Sequence, residues 1–267
     1  GKSLDVYKSE CHHGTAYTKM YAEYSDIKSE VMYYVPLNKT HEVWKVRVTN
    51  NSDKPRNLSA IGYCEFTNDC NYEQDQVNLQ YTLFITRTYF MDNNKILQVI
   101  NENVEKAEIN GSKANKRFFA LAGSDVASYC GDKEEFLGRY HGYGNPIGVI
   151  NGDLGNKLNY NSNACGALQS DITLQPGESK ELIFVLGQKD NAQANEILAS
   201  YEAAGKVDSE VEALKEYWHS KLNHFQVSTP SDAFNNMINV WNAYQCFITF
   251  IWSRAASFVY CGLRNGY

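Results

Sequence analysis

No apolar run in this 267-residue chain approaches the ~20 residues of a membrane-spanning helix, so no bilayer is expected as a partner. The opening residues, Gly1-Lys2-Ser3-Leu4-Asp5, contain neither the apolar segment of a secretory signal nor a Met. A cytoplasmic chain is expected, processed or representing part of a longer protein. The seven cysteines (11, 64, 70, 130, 165, 246 and 261) include no C-x-x-C pair, which suits scattered thiols in a reducing compartment. Asn38, Asn50, Asn57 and Asn110 open N-x-[ST] sequons, which read as chance matches without a secretion signal. An excess of positive charge is also lacking. The 25 basic against 31 acidic side chains leave a net charge of −6, which repels a nucleic-acid backbone and excludes that partner.

Phosphate-cradling G-x-G-x-x-G and G-x-x-x-x-G-K-[ST] loops are missing, and so is the G-x-S-x-G of a hydrolase nucleophile. The six histidines are 12, 13, 41, 141, 219 and 224, with no His-x-x-x-His. His12 and His13 are adjacent and point to opposite faces of a strand, so they do not share a metal. Neither a metal nor an organic cofactor is expected.

Aromatics are plentiful, at 13% of residues. Most of these rings belong in a core, and the remainder suit stacking on sugars or interfaces. From Tyr17 to about Gly187 the dominant period is two. Trp44, Val46 and Val48 share one strand face, while Lys45, Arg47 and Thr49 share the other. Ile27, Ser29, Val31, Tyr33 and Val35 line one side of a strand ending at Pro36. Asn50 to Pro55 has turn chemistry, and Asn57 to Phe66 is a further strand. Gln175-Pro176-Gly177-Glu178 separates two apolar strands and predicts a β-hairpin. His141 to Pro146 reads as a loop, and nothing here resembles a crossover helix.

The period changes near Asp190. Residues 191–202 and 207–224 have helical spacing around a breaker at Gly205, and Thr229-Pro230-Ser231-Asp232 caps a longer helix. Phe234, Met237, Ile238, Trp241, Gln245, Ile248 and Trp252 follow along it. Its second half is apolar nearly all round, which requires burial against elements that the remaining 15 residues do not supply. The fold class is therefore mainly β: a large antiparallel β-sandwich over 1–189, a helical linker over 190–228, and the start of a truncated helical domain over 229–267.

Arg254 follows the apolar helical run, and Arg264 lies between two glycines. Guanidinium groups offer a fixed fork of donors for hydroxyls and phosphate. A buried ion pair at Arg254 and a solvated loop at Arg264 are the alternatives.

Asn239 to Cys246, Trp252-Ser253-Arg254-Ala255-Ala256-Ser257-Phe258 and Gly262-Leu263-Arg264-Asn265-Gly266-Tyr267 resemble the entry to the catalytic barrel of glycoside hydrolase family 94. That family comprises the cellobiose, cellodextrin, laminaribiose and chitobiose phosphorylases. Glu10-Cys11-His12-His13-Gly14, Tyr34-Val35-Pro36-Leu37, Val48 to Arg56, Glu65-Phe66 and Leu174-Gln175-Pro176-Gly177-Glu178 extend the resemblance over nearly the whole chain.

The resemblance implies a super-sandwich, a helical linker and the first helix of an (α/α)6 barrel. It implies a hexosyltransferase that splits a β-linked disaccharide or short oligosaccharide with inorganic phosphate, inverting the anomer to an α-sugar 1-phosphate. By the family motif, Arg254 binds the donor sugar and Arg264 the phosphate. Asp75 to Tyr81 resembles a loop that reaches the acceptor site of the other subunit of a homodimer, which assigns Gln80 and Tyr81 to the acceptor sugar. Tyr81 departs from the Arg of cellobiose phosphorylases, whereas Gly166-Ala167-Leu168 and Asn145-Pro146 look closer to chitobiose phosphorylase. The family's general-acid Asp lies beyond Tyr267, so no catalytic residue is assigned and the chain alone is expected to be inactive. The rival readings are a stand-alone sugar-binding sandwich and a relative of maltose phosphorylase or glucoamylase.

Overall fold

A computed structural model describes residues 6–66, 83–100, 115–252, 254–255 and 264–265. The chain forms two compact units, Gly1–Ser209 and Glu210–Tyr267.

The first unit is an antiparallel sandwich. Its larger sheet has the order β1-β2-β3-β4-β11-β8-β7-β6. These strands are β1 (Lys8–Gly14), β2 (Tyr17–Tyr24), β3 (Ile27–Tyr34), β4 (His41–Asn50), β6 (Thr86–Met91), β7 (Lys95–Ile100), β8 (Asn115–Ala122) and β11 (Ser179–Gly187). The smaller sheet is β5 (Arg56–Glu65), β10 (Ala164–Leu174) and β9 (Ser128–Asp132), in that order. Two short helices, α1 (Lys133–Leu137) and α2 (Ile147–Asn151), lie between β9 and β10.

The alternating residues of the strands explain where the core sits. Ile96, Phe119, Leu121, Leu182 and Phe184 of the larger sheet meet Cys64, Phe66, Ala164 and Leu168 across the sandwich, with Trp44 and Val46 against them. Phe119 and Phe184 stack with ring centroids 5.5 Å apart, and Trp44 packs 5.0 Å from Phe119. Each fully buried ring contributes roughly 1.5–3 kcal/mol. Gly62 permits this approach, because a Cβ there would lie 2.6 Å from the Phe184 ring.

The other face of the larger sheet is covered too. Tyr34, Val43, Phe118, Ala120 and Val185 are buried, and helix α3 (Asn191–Ser200) packs against β8. Asp190 caps α3 by accepting from the Gln193 amide. His41 Nε2 lies 2.7 Å from the Tyr201 hydroxyl at the helix's far end.

On β3, Met32 and Tyr34 are buried, whereas Val31 and Tyr33 are half-buried. The hairpin expected at Pro176-Gly177 requires correction, because the turn does not join two paired strands. β10 pairs with β5 and β9, whereas β11 pairs with β4 and β8. The turn passes the chain from one sheet to the other, and Gly177 at φ +77° reverses its direction.

In the second unit, α4 (Lys206–Leu222) extends from the boundary, with Leu214, Trp218 and Leu222 buried. Ser231 then caps α5 (Asp232–Asn236) by accepting from the Phe234 amide. A π-helical stretch, Met237–Asn242, comes next and leads into α6 (Ala243–Trp252). The wider π turn shifts the apolar register relative to uniform α spacing. Phe234 and Met237 are exposed rather than buried, while Trp218 packs edge-on against Tyr244 and Phe247. Among the described residues no helix is long and apolar enough to cross a membrane.

Candidate functional site

Opposite ends of the β5–β10 pair are built differently. At the Arg56 and Leu174 end, both turns between sheets meet on Asn50, which is fully buried. Its side-chain amide donates to Leu174 O (3.0 Å) and Lys54 O (2.8 Å), and its Oδ1 accepts from the Ser52 amide and hydroxyl. Its backbone carbonyl accepts from the Gly177 amide. The Asn50 amide and both its carbonyl oxygens are thus bonded within the protein.

At the other end, Glu65 terminates β5 beside Cys165 at the start of β10. Tyr63 (2.9 Å) and Tyr143 (2.5 Å) donate their hydroxyls to Glu65 Oε1, and Lys133 Nζ (2.9 Å) binds Oε2. Partial burial pushes the Glu65 carboxyl up, but the bonds from Tyr143, Lys133 and Tyr63 outweigh it and hold the group below its ordinary value. The same Tyr143 and Glu65 partners raise Lys133. Lys133 also lies 5.4 Å from the Tyr143 ring centroid. Both carboxylate and ammonium are therefore charged near neutral pH.

The same end gathers further polar and aromatic groups. The Lys133 amide bonds Asn163 O, and Ser162 bonds Asp132. Asn159, which accepts from the Ser162 amide, donates to Thr86 O at the start of β6. Arg87 lies 3.7 Å over the Tyr160 ring and donates to Asn161 Oδ1 at 2.8 Å. Exposed aromatic side chains among the described residues of the first unit are Tyr24, Phe84, Tyr140, Tyr143 and Tyr160. All except Tyr24 lie on segments at this end.

Gln80 and Tyr81 lie outside the described residues, in the segment between Phe66 and β6. Arg254 and Arg264 fall in the second unit, in the two-residue strands β12 (Arg254–Ala255) and β13 (Arg264–Asn265). The antiparallel register pairs Arg254 with Asn265 and Ala255 with Arg264, which sets the two arginine backbones on adjacent rungs. Sequence reasoning missed the assembly around Glu65. Tyr63 and Glu65 at i and i+2 on one strand were its legible signal, but Lys133 and Tyr143 arrive from another part of the chain. Among the described residues no group of three or more His, Cys, Asp and Glu could hold a metal ion. His12 pairs with Glu10 at 3.1 Å, while His13 lies 3.1 Å from Thr18 Oγ1 and 3.5 Å from Cys11 Sγ.

Comparison with known proteins extends over both units. The family profile described as "Glycosyl hydrolase 94, supersandwich domain" matches residues 3–204, and "Glycosyl hydrolase 94 superfamily, catalytic domain" matches 217–267. The chain is 34% identical to an N,N'-diacetylchitobiose phosphorylase of Vibrio furnissii over 99% of its own length and 32% of that protein. The corresponding enzyme of Vibrio proteolyticus is 32% identical over the same shares. Cyclic beta-(1,2)-glucan synthase NdvB of Rhizobium meliloti (strain 1021) is 29% identical over 92% of this chain and 8% of its own length. The chain thus spans about a third of the length of the two phosphorylases it matches.

Proposed function

The chain belongs to glycoside hydrolase family 94, and on that premise we propose that it is the sandwich, linker and barrel entry of an inverting β-disaccharide phosphorylase. The observation that carries this reading is the co-linear match of both family domains together with the similarity to diacetylchitobiose phosphorylases along the whole chain. The proposed division is 1–189 sandwich, 190–228 linker and 229–267 first part of an (α/α)6 barrel. The onset of α3 at Asn191 supports the first of these boundaries.

Phosphate attacks the anomeric carbon from the face opposite the glycosidic oxygen, as water does in an inverting glycosidase. A carboxylic acid protonates the departing oxygen, and the anionic nucleophile needs no separate base. That acid belongs to the part of the protein beyond Tyr267, so this chain alone is inactive. Arg254 holds the donor sugar, and Arg264 offsets the charge of phosphate. Gln80 and Tyr81 meet the acceptor, reaching across a homodimer. The reaction requires no cofactor, and the enzyme works in the cytoplasm. Similarity to two diacetylchitobiose phosphorylases favours an N-acetylglucosaminyl donor over a glucosyl one.

The test uses the full-length protein with inorganic phosphate and a panel of β-linked disaccharides. Phosphorus NMR should report an α-sugar 1-phosphate, and its absence with every disaccharide would overturn the assignment. Arg264→Ala should raise the KM for phosphate by roughly tenfold or more, given the strength of charge-assisted hydrogen bonds. An unchanged phosphate dependence would remove Arg264 from the phosphate site.

A further inference from the structure

The hairpin of β1 and β2 sorts its side chains by charge. The register pairs Ser9 with Ala22, Cys11 with Met20 and His13 with Thr18, so these six share one face. Glu10, His12, Lys19 and Glu23 take the other. The next strand continues the division, since Ala22, Met20 and Thr18 stand opposite Ser29, Val31 and Tyr33. Along these rungs the first face carries neither carboxylate nor ammonium. Its titratable groups are Cys11, His13 and Tyr33. Cys11 Sγ lies 3.5 Å from His13 Nε2, and His13 Nδ1 lies 3.1 Å from Thr18 Oγ1. With the ring proton on Nδ1 and donated to Thr18, the lone pair of Nε2 faces the thiol. A nucleophile, a base within its reach and a third group orienting the base are thus joined on one face. Cys11 is exposed, whereas Cys64, Cys130 and Cys165 are buried.

We propose that Cys11 is a thiol–disulfide exchange site for low-molecular-weight disulfides, with His13 as its base. His13 Nε2 takes the Cys11 proton, and the thiolate attacks one sulfur of the incoming disulfide. A new S–S bond forms at Cys11 as the old one breaks. The departing thiolate recovers the proton from the imidazolium and leaves as a thiol. One disulfide and one thiol are consumed, and one mixed disulfide and one thiol are produced, so no further oxidant is needed. The carboxylate-free face admits an anionic disulfide such as oxidised glutathione without repulsion. It also leaves the imidazolium no counter-ion on that face other than the thiolate.

A metal ion is the other ligand that a Cys and His pair suits. The observations favour exchange. Thr18 engages the second ring nitrogen, and among the described residues no group of three or more His, Cys, Asp and Glu could complete a metal site.

The experiment incubates the reduced 267-residue chain with excess oxidised glutathione at pH 7 and follows each cysteine by peptide mass spectrometry. The internal reference is Cys246 of α6, also exposed and with no histidine among its described hydrogen bonds. An ordinary thiol is only a few per cent thiolate at pH 7, so a paired base accelerates exchange by about one order of magnitude. Cys11 should therefore form its mixed disulfide roughly tenfold faster than Cys246. His13→Gln should slow Cys11 roughly tenfold without changing Cys246, and Thr18→Val, which frees the ring, should slow it less. Near pH 10, where an ordinary thiol ionises unaided, wild type and His13→Gln should converge. Equal rates at Cys11 and Cys246 would overturn the proposal, as would a wild-type rate in His13→Gln. A His13→Gln deficit that persists undiminished near pH 10 would remove His13 as the base. A Cys11-linked dimer formed ahead of the mixed disulfide would overturn the choice of a small-molecule partner.

Discussion

The two ends of the β5–β10 pair use the same kinds of polar residue for opposite purposes. Around Asn50 the side-chain amide of a fully buried residue ties two exposed turns together, and the Gly177 amide bonds its backbone carbonyl. Around Glu65 the carboxylate is just as fully hydrogen-bonded, but it stays partly open to solvent and Tyr140, Tyr143 and Tyr160 face outward. A buried polar node holds a fold because its groups have no alternative partner once one is removed. An exposed node contributes little to stability, since water replaces any lost bond, and this leaves it available to a ligand.

Removing Asn50 should produce the largest effect. Asn50→Ala removes the side-chain bonds by which a fully buried residue holds Leu174 O, Lys54 O and Ser52, and should destabilise the protein by roughly 3 kcal/mol. Urea unfolding measures this, and a loss under about 1 kcal/mol would place the corner among ordinary surface turns.

A second test concerns Asp92, which bonds the fully buried Lys95 and also Asn195 and Asn191 of α3. The bond from Lys95, followed by that from Asn195, lowers the Asp92 carboxyl to about 2 from its ordinary 3.8. A depressed carboxyl contributes stability that is complete above the unfolded value and lost as pH falls through the folded one. Asp92→Asn should therefore lower Tm most at neutral pH, and the difference should close between about pH 4 and pH 2. Because Asp92 is nearly half exposed, a loss of about 1–2 kcal/mol is expected. A difference independent of pH would show that the carboxylate charge is not what joins the β6–β7 turn to α3.

The smallest stability effect belongs to Glu65→Gln, at under about 1 kcal/mol. Hydrogen exchange should nevertheless rise in the Tyr140–Pro146 loop, because the anchor at Tyr143 is weakened. Exchange unchanged there would mean that the loop's own backbone bonds suffice. For Glu65 too the contribution is present above its ordinary value of 4.5 and lost as pH falls through the lower folded value.

The legible part of this molecule was local. Alternation along β4 and along Asn57 to Phe66, the cap at Ser231 and the change of period at Asp190 are each written in a few consecutive residues. The turn at Pro176-Gly177 was legible as a turn but not as a passage between sheets. Turn chemistry sets the reversal of the chain, whereas the partner of each strand depends on which distant strand completes the core. Of the site residues, Arg254 and Arg264 stood out through their sequence context. Glu65, Lys133 and Tyr143 did not, because residues 65, 133 and 143 gain their common purpose only when β5 and β9 end on either side of the start of β10.

Sequence alone determined the strand-rich character of the first 189 residues, the helical character of the stretch from Asp190 to Trp252 and the family resemblance, because periodicity, capping and motif order are properties of neighbouring residues. Tertiary structure decided which sheet each strand joined, which polar groups closed on themselves at Asn50 and which remained open around Glu65. Those outcomes depend on the interlocking of Phe119 and Phe184 with the opposite sheet. Contacts between residues so far apart along the chain leave no local pattern to read.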